Sequence, residues 1–494
     1  MRDVQFAGEY NLENCEIISS AGVAVDISPN IVEINIFENI FKNSLSGSII
    51  IADTNNLCDN LPIIGQEYIA LKIVTPGLEE TEQVIDFTEN VFCLYEVGSK
   101  TPAATGAEVV ELKFCSPELL RNERVRVSKS FEQTADQIVK AVMENSKYLN
   151  TKKKVFLEST LGIRKIVSPN YHPFQLIKNL TREAMATADE SPHFLFYENI
   201  FGFHFRSVQS LYSQGSQGEY HVGDRGFDEE YTASGDSGKI IQAYKRVINF
   251  SIPNRNNSLA DVKSGMLGST IIMHDIFNKK YQKSMFKYFE DHNKYMRLEA
   301  SGAPKYNNTL IDEENTIENF TDARIHLHPT SITNDNLDAQ YITVPPTVKE
   351  LIEQGVDRSL AIAAVEQQQQ EVTEGNKDYI SNQADKWLLH RNQRMHELNT
   401  GMTVNMSIHG NTTVAVGQVI EINVPINGTD HEEVGQSKHQ SGLYLISKVR
   451  HIFSQPTRTH MIQLQATKDS YPIELESKGS GREPKTGSPQ FIPL

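Results

Sequence analysis

The stretch Gly401–Tyr471 constrains the fold more than any other part of the chain. Val404, Met406 and Ile408 alternate with polar residues, as do Ile420, Ile422 and Val424, and later Ile462, Leu464 and Ala466. Alternation at period two sends successive side chains to opposite faces of a strand, one face into a core and the other outward. Tyr444 and Ile446 follow the same rule, but Val449 falls one step out of phase, which predicts a β-bulge. Gly410-Asn411 and Gly417-Gln418 punctuate the first turns. The polar segment Asn427–Ser441 and Gln455-Pro456 supply the others. Such strands make a small antiparallel barrel or sandwich rather than an enzyme cleft.

The pattern occurs a second time near the N-terminus. Gly65-Gln66 opens one strand-like run, followed by Val91–Val97 and Ala107–Cys115. A shift of 352 residues superimposes the landmarks without a gap: Gly65 on Gly417, Gln66 on Gln418, Phe92 on Tyr444, Val97 on Val449, Val110 on Ile462 and Leu112 on Leu464. Duplication is the favoured explanation. Because few aligned positions are identical, two unrelated β segments of similar strand length are the competing one.

The remaining chain divides by pattern. Residues 1–118 read as the first β-barrel domain, with strands at Val23–Ile27, Ile31–Phe41 and Ser48–Ala52. Residues 119–206 read as a small α+β domain. There Ser130 and Gln133 fit a capping box ahead of the apolar face Ala135, Ile138, Val139 and Val142. Val155–Ile166 reads as extended, and Pro173 starts a helix with the stripe Phe174, Ile177, Leu180 and Ala184. His193–Ser207 reads as a hairpin. Residues 207–253 combine a Ser/Gly-rich linker (207–238) with Lys239–Ile252, a strand opening the second barrel. Residues 254–400 form a mixed insertion, with strands at Ser269–Asp275 and Tyr281–Tyr288 and helices over Pro346–Val372 and Lys377–Leu398. Residues 401–471 complete the second barrel, and 472–494 are a flexible tail whose apolar end, Phe491, Ile492 and Leu494, is the candidate partner contact. The fold class expected is mainly β, with two similar antiparallel barrels, a small α+β domain and a partly helical insertion.

Composition removes several function classes. The net charge of −16 over 494 residues argues against broad nucleic-acid binding, which needs a basic face. No apolar run approaches the length of a membrane helix, and the N-terminus carries no secretory pattern. Cys15, Cys58, Cys93 and Cys115 form no CxxC and read as free thiols. Phosphate loops, dinucleotide fingerprints, zinc-protease and nucleophile-elbow motifs are absent from the sequence. His326-Leu327-His328 sets two imidazoles on one strand face without a third ligand in view, so an ordinary pair is the favoured reading. His431 and His439 fall in a polar loop. No cofactor, metal or catalytic residue is expected, and the chain reads as a non-enzyme.

Three stretches together resemble the central baseplate hub proteins of contractile-tailed bacteriophages of the T-even type. They are Ile31–Ile73 with Glu111–Phe131, the helix His172–Ala184, and the closing block Gly401–Ser470. Lys239–Ile252 resembles the family's return strand into the second barrel. The resemblance covers most of the chain as a pattern of strands, and it departs at the larger insertion and at the tail. It implies tube-type barrels and a homotrimer in which each chain contributes two barrels to a pseudo-sixfold ring. That ring would join a tail tube or tube-initiator protein to a central spike protein, with baseplate wedge proteins around it. It further implies genome ejection through the lumen, an acidic lining that does not hold DNA, and a location in the virion tail baseplate after synthesis in the host cytoplasm. A hub of a type VI secretion or phage-like injection particle is the alternative. A carbohydrate-binding or cell-wall-degrading tail protein is a more distant one.

Overall fold

A computed structural model describes residues 4–19, 22–54, 63–76, 84–103, 107–223, 235–254, 257–275, 279–307, 318–329, 351–352, 355–365, 384–426 and 436–475. The N-terminal part is built from β1 (Asn11–Ile18), β2 (Ala24–Asp26), β3 (Ile31–Asn39), β4 (Ser46–Asp53), β5 (Tyr68–Val74), β6 (Ile85–Ala103) and β7 (Ala107–Cys115). Their order across the sheet is β3-β4-β7-β6-β5-β1-β2. Period-two alternation buries Ile34, Ile36, Ile49, Ile51, Val110, Leu112 and Phe114 on one side, around the stacked rings of Phe87, Phe92 and Phe114. Cys15, Cys93 and Cys115 are buried and free, while Cys58 lies outside the described residues.

The next part begins with α1 (Pro117–Arg124), β8 (Val127–Gln133), α2 (Ala135–Glu144), β9 (Val155–Leu157) and β10 (Arg164–Tyr171), and closes with α3 (Pro173–Glu183), β11 (Phe194–Asn199) and β12 (Gly202–Ser207). The expected capping box is corrected here. Ser130 and Gln133 lie in β8, paired with Val167 and Arg164, and Thr134 is the N-cap of α2. A long-range strand pairing outweighs the local capping signature. The extended run expected over Val155–Ile166 is also interrupted. Gly162 takes φ 72°, and the Thr160 hydroxyl donates to Asp136 at 2.6 Å, so the chain turns between β9 and β10. The helix starting at Pro173 is present. It buries Phe174, Ile177 and Leu180, and the Phe174 amide donates to Asn122 Oδ1 at 2.8 Å.

The chain then runs through α4 (Val208–Tyr212), β13 (Ser216–Val222), α5 (Gly235–Lys245), β14 (Arg246–Asn254) and α6 (Ser258–Ser264). Two expectations fail here. The Ser/Gly-rich segment contains β13, a barrel strand. Lys239–Lys245 is helical, so the strand opens only at Arg246. Ile240, Ala243 and Tyr244 are half-buried at helical spacing, whereas Ile241 between them is exposed. In the insertion, β15 (Gly268–Asp275) pairs antiparallel with β16 (Lys280–Lys287) and parallel with β17 (Ile325–Pro329). Residues 358–365 are helical, as is α7 (Ala384–Thr400).

The last strands are β18 (Met402–His409), β19 (Val419–Asn423), β20 (Gly442–Ser454) and β21 (Thr459–Lys468). They form a ring with β13 and β14 in the order β13-β14-β18-β21-β20-β19, which closes back on β13. This barrel is not wholly antiparallel, because β13 runs parallel to both of its neighbours. The predicted bulge is present: the β20–β21 register slips between Ile446 and Lys448. Shifted by 352 residues, β7 falls on 459–467, inside β21, and β6 covers β20.

Buried ion clusters tie these parts together. Lys153 lies 3.1 Å from Glu118 and 2.6 Å from Glu198, all buried, and Glu198 also accepts the Leu45 amide of the first barrel at 2.8 Å. Burial works against the Lys153 charge, but Glu198 and Glu118 outweigh it and hold its pKa above the usual lysine value. Arg297 of the insertion meets Glu397 of α7 at 2.9 Å, and Arg394 pairs with Asp469 beyond β21. Breaking one side of such a cluster leaves uncompensated buried charge, at a cost of about 3–5 kcal/mol. Lys153→Met is therefore expected to lower stability by about that amount in urea unfolding. Adding Glu118→Gln and Glu198→Gln to the same chain should recover much of the loss.

Candidate functional site: the barrel joint and its concave face

The two barrels share one 13-stranded sheet, and the joint between them is the pair β3–β20. The first half of β20 pairs with β19 inside the second barrel, from Gly442 to Leu445. After the bulge, its second half pairs with β3, from Lys448 opposite Asn39 to Ser454 opposite Glu33. The bulge is what allows one strand to serve both barrels, since the extra residue bends and twists the strand locally. Sequence reasoning found the bulge as a phase error but could not assign it this role.

Glu38 fastens the joint. Its side chain is 2% exposed, accepts the Ile200 amide at 2.9 Å through one oxygen, and accepts the Val416 amide at 2.7 Å through the other. Those amides come from the β11–β12 turn and from the loop between β18 and β19, so one carboxylate from the first barrel holds both neighbouring parts. Gly417 follows with φ 83°, and a Cβ there would overlap the Tyr197 hydroxyl, so glycine is required by both backbone and space. His451 Nδ1 lies 3.1 Å from His460 Nε2, and the His460 ring stacks on Phe453 at 4.1 Å. Burial drives the His460 pKa well below the usual histidine value, with His451 as the second cause. Burial likewise lowers His204 to about 3; its ring stacks against Tyr197 and receives or donates one bond at Asn199.

The outer face of the joint is an open concavity of about 800 Å³. Amides and hydroxyls dominate its lining: Asn249, Ser251, Asn405, Ser407, Gln463 and Gln465. Lys448 and Arg450 add positive charge, and Arg450 lies 3.6 Å from Glu33. Glu38 borders the same face but is turned inward onto the two amides. The acidic lining expected from net charge is not what this face carries; the surplus carboxylates sit elsewhere. The chemistry offered is many weak neutral dipoles on a curved sheet.

The candidate residues named from sequence fall outside this site. His326 and His328 lie on β17, where the His328 ring meets Trp387 edge-on at 6.1 Å. His439 packs near Tyr471, and His431 lies outside the described residues. Phe491, Ile492 and Leu494 also lie outside them. Among the described residues no three His, Cys, Asp or Glu side chains gather as a metal site, and no helix is long and apolar enough to cross a membrane.

No protein-family model matches the chain. A probable baseplate hub protein of Vibrio phage KVP40 is 24% identical over 260 residues, which span 52% of this chain and 58% of that protein. The relative agrees with the resemblance read from the sequence. A tail protein from Neisseria meningitidis MC58 superimposes with a TM-score of 0.47 at 10% identity, over 93% of this chain and 97% of that one. A 43 kDa tail protein of prophage MuSo2 from Shewanella oneidensis superimposes with a TM-score of 0.48 at 9% identity, over 93% and 99%.

The two depressed histidines make the joint acid-sensitive. Below about pH 6.5 the unfolded chain takes up protons that His204 and His460 refuse in the fold. Stability is thus full above that pH and lost on acidification towards the folded pKa, which for His204 is about 3. Each such histidine contributes a slope of up to about 1.4 kcal/mol per pH unit. Melting temperature should fall steadily from pH 7 to 4.5, and His204→Gln should flatten the fall by about one proton.

Proposed function

We propose that this chain is a structural protein of a contractile phage tail, the central hub of its baseplate, acting by assembly and not by turnover. Three copies would place six barrels in a ring. Such a ring can meet a sixfold tail tube on one side and a threefold spike on the other, because closed symmetry demands matching patches and a doubled barrel turns three into a quasi-six. The single observation that carries the reading is the β3–β20 joint. Two barrels that superimpose on a shift of 352 residues are already welded edge to edge within one chain. The relative from phage KVP40, described as a probable baseplate hub protein, supports the same reading.

In this arrangement the concave sheet face lines the channel through which the genome leaves. A strongly basic lining would hold phosphates by counterion release. A lining of Asn, Ser and Gln offers no fixed charge to release against, and its arginine stands beside Glu33. Passage without adhesion therefore needs no acidic wall. The insertion and the outer face of the small α+β part would meet the wedge proteins, and the ring's two rims the tube and the spike.

Light scattering on the purified full chain tests the reading. The expected mass is about three times 55.7 kDa, with particles showing an open centre and six similar lobes in negative stain. A chain that stays monomeric at every concentration, alone and with a candidate spike protein, would contradict it.

A further inference from the structure

The joint inside the chain has an unused counterpart on each flank. On β6, β5 covers one edge only as far as Cys93, and β7 occupies the other edge through to Ala103. From Tyr95 onward, no strand among the described residues pairs with the first edge, and Tyr95 is 44% exposed. The matching stretch of β20 is the one that pairs with β3. On β14, β18 occupies one edge, while β13 covers the other only at Arg246 and Val247. Beyond Val247 no described strand lies on that side, and Ile248 is 41% exposed. In the first barrel the matching strand is β3, whose same edge is taken by β20. The half-joint that each barrel presents to its sister is thus repeated, open, at the two outer ends of the sheet.

We infer that these two edges pair with one another between copies of this chain, β6 of one copy against β14 of the next, repeating the β3–β20 joint. This deepens the hub reading and rests on it for the number of copies. The register follows from the pairings. Asn35 lies opposite Ser48 as Ser251 lies opposite Asn405, and Ser48 and Asn405 face Lys113 and Gln465, which are 352 residues apart. Thr101 faces Val109 as Ile452 faces Met461, again at a separation of 352. Since Ile452 lies opposite Asn35, Thr101 lies opposite Ser251 of the next copy. Pro102 then takes the place of Phe453, opposite Phe250, and removes one donor from the seam. The seam between copies is accordingly one hydrogen bond weaker than the seam within the chain. Two different edges that fit each other make a head-to-tail contact, which closes into a ring when the rotation permits and otherwise grows into a filament.

The bonds from Ile40 N–H to Ser447 and from Gln455 N–H to Val32 fix the phase of the inner joint. In that phase Ile452 and Asn35 form a non-hydrogen-bonded pair, a geometry with Cα atoms about 4.5 Å apart and within disulfide reach. Thr101 and Ser251 inherit this spacing, and both are exposed in the single chain. The test is mild oxidation of full-length Thr101→Cys/Ser251→Cys, run on non-reducing gels beside each single variant and followed by light scattering. The expected result is a covalent ladder that stops at three chains, given by the double variant alone. A trimer that does not cross-link would place the seam elsewhere and overturn the inference while leaving the hub reading intact. A monomer without cross-links would remove both, and a ladder running past three would contradict closure.

Discussion

The arrangement of the whole molecule depends on one strand serving two barrels. β20 leaves the second barrel at its bulge and enters the sheet of the first, so the two barrels share backbone hydrogen bonds and not only side-chain contacts. Backbone ladders fix register and angle more tightly than a packed surface does, because a one-residue slip would turn every buried side chain outward. Glu38 then locks the angle, since two buried amides from neighbouring parts depend on its two oxygens. Leaving buried donors unpaired costs about 1–3 kcal/mol each, so the joint resists opening even though its outer face is open to solvent.

The other parts are organised around this joint. The small α+β part reaches it through the turn at Ile200 and, farther out, through the Lys153 cluster on the first barrel. The insertion is fastened to the far end of the second barrel by Arg297, Arg394, Glu397 and Asp469. Burial acts to raise Asp469, but Arg394 and Arg297 overcome it and hold the carboxyl down at about 2. The polar fastenings are therefore at the contacts between parts, whereas the barrel interiors are aliphatic and aromatic. Such a chain behaves as one stiff arc, which suits a role in which geometry itself is the function.

Much of the fold was legible because β-sheet cores write themselves at period two. Ile462, Leu464 and Ala466, and the Val449 phase error, announced β21 and the β20 bulge directly. What stayed hidden was non-local. β13, Ser-Gln-Gly-Glu-Tyr-His-Val, buries only Tyr220 and owes its strand form to parallel partners far away in sequence. Ser130 carries a helix-start signature, yet β10 claims it as a strand. The joint itself left no motif: Glu38 is one acid among many until Ile200 and Val416 are folded against it. Net charge misled about the concave face, because a sum over the chain does not say where charges lie.

Amide hydrogen exchange tests most directly whether the two barrels form one rigid unit. If they do, the amides of Ile200 and Val416 and those bridging β3 and β20 exchange as slowly as the inner amides of β7 and β21, and only through global unfolding. Joint amides that exchange much faster than both barrel cores would mean that the barrels hinge independently, and the account of a welded arc would be wrong.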